Sequence, residues 1–544
     1  MIVDVENNKD MNLKKILLIS LGCCLFVVFL VVLPKAISLG TKTASGENKI
    51  RLNWEERLST SAHQFGGENT LTDNDPFQEI ASNNTYYMKS EVLTPAYPLK
   101  ISANGRYLED QNDQPVFWSG DTAWSLIVQG TVEDIDVYLA NRQQKGVNVI
   151  LVNLIDHRFG TYAPSNIYGD PPFTSIPFTT PNEAYFAHAD YAISSAAEKG
   201  MAVLLDPLYL GYACGSEGWC AEVQAASIAD MQSWGQYVGN RYVNFDNIVW
   251  VIGGDTDPTV NGVEGKVTAF VNGLLSFDTH HLITAHNAPG QMAVTPWDGA
   301  SWLTLNDTYT SFLGSYQLAQ TAYQISPAMP FFQIEAYYEN DSHSMTNQKL
   351  RAQAYWTVLS GGMGYIFGNC PVWGLGSPAM SFCPDADPDW IAQLDYPGAF
   401  YMMFVQYLFS TRPWQILVPD FAHTFITTGY GSYGETDYAA AEVTADGRLA
   451  LAYLPTIRTV TVDLTRMSSE VNASWYDPTN GLYTIIEGSP FPNNGSYQFT
   501  PPDNNADGDS DWMIVFESVH VPTPTPTETQ EPKWIMKYLP IIEN

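Results

Sequence analysis

"QQKGVNVILVNLID", residues 143–156, decides how this chain folds. A helix-like stretch ends on Lys145 and Gly146, and a nearly unbroken apolar run then drives forward to Asp156. The same joint recurs at "AEKGMAVLLD", residues 197–206. Glycine suits the left-handed residue just past a helix, and lysine complements the negative helix end. Continuous Val/Ile/Leu runs are expected of strands buried on both faces in a parallel sheet. Working outward, similar runs stand at "PVFWSGD" (115–121), "NIVWVIGGD" (247–255), "HLITAHN" (281–287), "SWLTLND" (301–307), "PFFQIEA" (330–336) and "GMGYIFGN" (362–369). Helical stretches lie between them, including 131–146, where Thr131 backed by Glu133 and Asp134 reads as an N-cap. Eight such units predict an α/β fold, a (β/α)8 TIM barrel over residues 97–411. An open doubly wound sheet would carry a Gly-rich phosphate turn after its first strand, and "WSGDTAW" is not one.

The composition changes on both sides of this region. Short alternating runs from "HTFITTGYG" to "SDWMIVFES" predict an antiparallel β-sandwich domain over 412–519. A Pro/Thr-rich linker (520–532) and an apolar tail (533–544) follow. Residues 40–96 read as a polar stalk. Before it, Lys14 and Lys15 precede an uncharged run from Ile16 to Leu33, so 1–39 reads as a signal anchor or signal peptide. The chain is therefore expected outside the cell or on its surface, touching the membrane only through that helix, and as a monomer. A formal charge of −33 excludes a nucleic-acid partner, and 45% hydrophobic residues exclude a disordered polymer. Cys214 with Cys220, and Cys370 with Cys383, form two local pairs, read as disulfides bracing loops. No histidine stands beside them at ligand spacing, so neither metal nor cofactor is expected.

In a barrel the chemistry sits at the C-terminal strand ends. Those positions hold Asp121, Asn153, His157, Arg158, Asp206, Asp255, His286, Asn306, Asp307 and Glu335. Trp124, Tyr209, Trp302, Tyr337, Tyr338 and Trp373 crowd the same ends. Rings beside carboxylates suit a saccharide, which stacks its apolar face while acid and base work on the glycosidic bond. Asp255 and Glu335, after the fourth and seventh strands, could flank such a bond. In the competing structural reading Asp255 caps the next helix and Glu335 pairs with Arg351. Asp257 reads as a cap or loop residue, Glu339 as a second nearby carboxylate, and Asp121 as a group orienting a sugar hydroxyl. "DNNADGDSD", 503–511, opens like a calcium loop, but Ile514 stands where the closing glutamate belongs, so a solvated acidic turn is expected. Neither an HExxH pattern nor a serine-triad order supports a peptidase.

"FWSGDTAW" (117–124), "VWVIGGDTDP" (249–258), "FFQIEAYYE" (331–339) and "RAQAYWTVLSGGMGYIFG" (351–368) resemble the apiosidase-like catalytic domain of glycoside hydrolase family 140 and its relatives. "WYDPTNG" (475–481) and "DWMIVFE" (511–517) resemble the sandwich domain often attached to it, labelled collagen-binding. The resemblance spans roughly residues 97–519. It implies a retaining glycosidase acting on pectin-like, apiose-containing polysaccharide, with Asp255 as acid/base and Glu335 as nucleophile. The second reading is a cell-surface adhesin that has lost catalysis and binds glycan or collagen.

Overall fold

The computed structural model describes residues 94–378, 383 and 389–519. The expected segment 1–39, the stalk up to 93, the linker 520–532 and the tail 533–544 lie outside the described residues. Among the described residues no helix is long and apolar enough to cross a membrane.

The barrel strands are β1 (Trp118–Thr122), β2 (Val149–Asn153), β3 (Ala202–Asp206), β4 (Ile248–Gly253), β5 (Ile283–His286), β6 (Asn306–Tyr309), β7 (Phe331–Glu335) and β8 (Gly364–Phe367). All neighbouring pairs are parallel in the order β5-β4-β3-β2-β1-β8-β7-β6. Backbone bonds from Thr304 and Leu305 to Ile283 draw the two ends together, giving a nearly closed barrel. The glycine joints behave as expected: Gly146 and Gly200 have φ of 74° and 75°, each just past a helix. Thr131 caps its helix through a reciprocal bond pair with Asp134.

The connecting helices are α1 (Val132–Gln144), α2 (Glu183–Glu198), α3 (Ile228–Tyr242), α4 (Glu264–Leu275), α5 (Gly314–Tyr323), α6 (Asn347–Val358) and α7 (Pro397–Ser410). Six of the seven crossovers between strands are helical, and α7 follows β8; the fifth crossover, between β5 and β6, is an irregular loop, so seven of the eight expected units are complete. The sixth strand also begins later than expected. Residues 301–305 approach the sheet, but pairing starts at Asn306.

Strand side chains alternate between two cores. Trp118, Leu151, Leu204, Val251, Phe332 and Ile366 fill the barrel interior. Ile150, Val203, Trp250 and Ile252 pack outward against the helices.

Nine antiparallel strands follow: β9 (Leu417–Pro419), β10 (Ile426–Thr428), β11 (Ala440–Thr444), β12 (Leu449–Leu454), β13 (Val460–Asp463), β14 (Val471–Tyr476), β15 (Tyr483–Ile485), β16 (Ser496–Phe499) and β17 (Trp512–Ser518). They form a six-stranded sheet, β9-β11-β12-β17-β14-β15, and a three-stranded sheet, β10-β13-β16. One face of the larger sheet covers the smaller one through Ala450, Ile514, Phe516, Val462 and Phe499. Its other face, with Leu451, Tyr453, Met513 and Val515, packs on Leu350, Trp356, Val405 and Phe409 of α6 and α7. The sandwich is thus fused to the barrel by an apolar core.

The 503–511 segment seals this junction. Arg351 of α6 is fully buried and donates to both oxygens of Asp511, at 2.9 and 2.7 Å, and to Asp509 at 2.8 Å. Most of the acidic turn is exposed to solvent, as expected, while Asp509 and Asp511 at its end hold the guanidinium, and Arg351 is not the partner of Glu335.

Candidate active site

β4 ends in two glycines and an aspartate because the chain must turn sharply there. Gly253, Gly254 and Asp255 have φ of 109°, 112° and 54°. A side chain at Gly254 would meet the Tyr209 ring at 2.3 Å. The turn is pinned by bonds from Gly254 N to His286 O (2.7 Å) and from Ala213 N to Asp255 O (3.0 Å). Positive φ at a residue other than glycine is costly and marks a position held for a purpose. Asp255 does not cap a helix; its Oδ2 accepts a 2.7 Å bond from the Tyr209 hydroxyl. Its Oδ1 is buried and finds no hydrogen-bond partner among the described residues.

Glu335 reaches the same place by another device. Phe332 and Ile334 point into the barrel, so strict alternation would send Glu335 outward. The register against β6 shifts between Gln333 and Glu335, an extra residue that re-aims the side chain toward the mouth. Glu335 Oε2 lies 3.0 Å from His286 Nε2. One ligand-type atom from each of Asp255, His286 and Glu335 falls within 4.8 Å of the others.

His286 is completely buried, stacked on Trp124 at 5.5 Å and against Tyr309 at 4.8 Å. Burial alone disfavours its charged form. The Glu335 contact and the charges of Glu335, Asp255 and Asp307 outweigh that and raise it to about 9. Burial and the Asp255 charge push Glu335 up, while His286 and Tyr338 pull it back toward ionisation. Burial lifts Asp307 to about 7, although the His286 charge and a bond from Thr284 oppose it. Because His286 is raised on folding, its contribution to stability is complete below its unfolded value of about 6.5 and is lost as pH rises through about 9. Urea midpoints measured across that window should fall in the native chain, and fall less in His286→Gln.

The two carboxylates open on a cleft of about 770 Å³. Of the residues expected here, Trp124, Arg158, Tyr337, Tyr338 and Trp373 line it, and His286 stands directly behind Glu335. Trp124 donates to the Tyr338 hydroxyl at 3.1 Å.

Other expected residues do not line the cleft. Asp121 falls on the outward face of β1, where Arg142 (2.6 Å) and Tyr138 (2.7 Å) of α1 bind it. Asn153 and Asp206 are buried beneath the mouth, at the ends of β2 and β3. His157 turns toward Ser216 and Glu222, and Trp302 packs on Trp297 in the fifth connection. Asn306 opens β6 and accepts from Val294 N, so it lies at the wrong end of its strand. Glu339 is buried away from the cleft, accepting from Gly398 N and Asn369. Asp257 is a loop residue, capped by Thr259 and Gln291. The sequence reading missed Phe159, Tyr212, Glu217, Tyr309, Asp341 and His343, which also line the cleft. Tyr309 was recoverable in principle, since ending β6 at residue 307 cut it off.

Both cysteine pairs are bonded, with Cα separations of 5.2 Å for Cys214–Cys220 and 5.8 Å for Cys370–Cys383. Each braces a loop at the C-terminal end of the barrel, the first after β3 and the second after β8.

This barrel, with two facing carboxylates in an aromatic cleft, has the architecture of a glycoside hydrolase. Solved structures agree on the fold. A protein described as a glycoside hydrolase superposes with a TM-score of 0.68 at 24% identity, covering 78% of this chain and 97% of its own. A family 5 glycoside hydrolase from Bacteroides vulgatus gives 0.67 at 23% identity, covering 77% and 93%. No curated protein matches. Residues 102–415 match the family described as "Apiosidase-like, catalytic domain", and the chain belongs to that family. Residues 425–517 match a second description, "Putative collagen-binding domain of a collagenase". The chain is a glycosidase by these criteria.

Proposed function

We propose that the protein is an exported, retaining glycoside hydrolase that cleaves complex, pectin-like polysaccharide, with apiose-containing side chains as the leading substrate class. The observation that carries this is the meeting of Asp255 and Glu335 within 4.8 Å across the cleft. Retaining enzymes hold their carboxyl groups close, at roughly 5–5.5 Å, whereas inverting enzymes leave roughly 6.5–9.5 Å for a water. Two carboxyl groups this near share one proton more readily than two charges. The His286 contact favours the charge on Glu335, which suits Glu335 to the role of nucleophile and leaves acid/base work to Asp255. Glu335 attacks the anomeric carbon while Asp255 protonates the leaving oxygen. Asp255 then takes a proton from water, which releases the sugar from Glu335.

Trp124, Tyr337 and Trp373 offer stacking faces for sugar rings, and Arg158 offers hydrogen-bond donors to hydroxyls or a carboxylate. Two disulfides and the apolar run near the N-terminus support export. Domain roles follow: barrel for chemistry, sandwich as its support.

Incubating the chain with apiose-containing pectic oligosaccharides and following the first product anomer by proton NMR tests this. Retained configuration is expected. An inverted first product, or binding of the panel without hydrolysis, would overturn it.

A further inference from the structure

At the opposite end of the barrel from the cleft, the loops entering β4 and β5 bring Asp246, His280 and His281 together. One donor atom from each lies within 4.8 Å of the others. Asp246 follows α3, and the histidines follow α4, so two separate crossovers meet here.

The histidine arrangement is informative. His281 is buried, and its Nδ1 lies 2.6 Å from Asp278 Oδ2. Asp278 is itself buried and held in place, accepting from Trp250 Nε1 at 2.8 Å and from the backbone N–H groups of His280 and His281. Its carboxylate is an acceptor, so Nδ1 is the nitrogen that donates to it and Nε2 is the one left for another partner. That Nε2 is buried and has no hydrogen-bond partner among the described residues. A buried polar atom left without a partner is costly, and native proteins rarely tolerate one without a use. Carboxylate to Nδ1 with Nε2 free is the arrangement that presents an imidazole to a metal ion. The His280 ring lies beside it, with centroids 4.1 Å apart, and both His280 and Asp246 are exposed to solvent.

We propose that Asp246, His280 and His281 bind one divalent first-row transition ion, with Asp278 orienting His281. Two imidazoles and one carboxylate suit zinc and its neighbours; calcium and magnesium prefer sets made of oxygen. The ion would tie the α3–β4 loop to the α4–β5 loop beneath the barrel, far from the sugar chemistry. The expectation of no metal rested on the cysteines, and "DTHHL" (278–282) went unweighed.

Equilibrium dialysis of chelator-treated protein against Zn²⁺ provides the test. One ion per chain is expected, with a melting temperature that rises with free Zn²⁺. Asp246→Asn and His280→Ala, both at exposed positions, should each weaken binding at least about tenfold. Asp255→Asn and Glu335→Gln should leave it unchanged, which separates this site from the catalytic trio. No uptake by the native chain, uptake indifferent to Asp246→Asn and His280→Ala, or uptake lost in Glu335→Gln would each overturn the assignment.

Discussion

Glu335→Gln should reduce turnover of a glycoside substrate by at least about 10³-fold while leaving the fold intact. Glutamine keeps the shape but cannot form the glycosyl ester, and it removes the anion facing His286 at 3.0 Å. Asp255→Asn should cost roughly 10²–10⁴-fold, least for substrates whose leaving group needs no proton. The two variants also separate the roles. Azide should rescue Glu335→Gln to give a glycosyl azide of inverted configuration, because it attacks in place of the carboxylate. It should rescue Asp255→Asn with retained configuration, because it intercepts the covalent intermediate. Near-native turnover in either variant sinks the mechanism. The Tyr209 hydroxyl donates to Asp255 Oδ2 at 2.7 Å, so Tyr209→Phe should also lower turnover.

The second large effect concerns the junction. Arg351→Ala would strand the Asp511 carboxylate, fully buried and otherwise bonded to the Tyr453 hydroxyl at 3.0 Å and to Asn505. Removing one partner of a buried ion pair typically costs about 3–5 kcal/mol, because the remaining charge is uncompensated. The urea midpoint should drop accordingly. Asp511→Asn alone should cost less than Arg351→Ala, since Asp509 still faces the guanidinium at 2.8 Å. The double variant should fall short of the sum, and that shortfall measures the coupling. A loss under about 1 kcal/mol in Arg351→Ala would show that the apolar core alone joins the domains. Activity measured well below the new midpoint should be little changed, because α6 carries Arg351 on the sandwich side of the barrel.

Much of this was legible without coordinates, and the reason is local. A glycine past a helix end, a lysine beside it and a continuous apolar run report backbone conformation and burial directly. Those signals mark the parallel barrel, and short alternating runs broken by turn residues mark the antiparallel sandwich after it. Asp255 was legible for the same reason: only a chain that must turn with positive φ writes two glycines before an aspartate at a strand end. The cysteine pairs were close in sequence, which made their bonding a short-range question.

Other features depended on register and on partners distant in sequence. Parity sends Asp121 to the helices and Asp307 inward, where Thr284 bonds it, while Asn306 faces away. An error of one residue in a strand start reverses every such assignment. The bulge that turns Glu335 to the mouth is a relation between β6 and β7, invisible in either strand alone. Arg351 found its acids some 160 residues away, at Asp511, rather than at Glu335. The amino-acid sequence by itself determined which segments are strands and helices and where the carboxylates lie along them. Only the packed barrel decided which side chains face one another, because strand pairing and interdomain burial are set by the free energy of the whole fold.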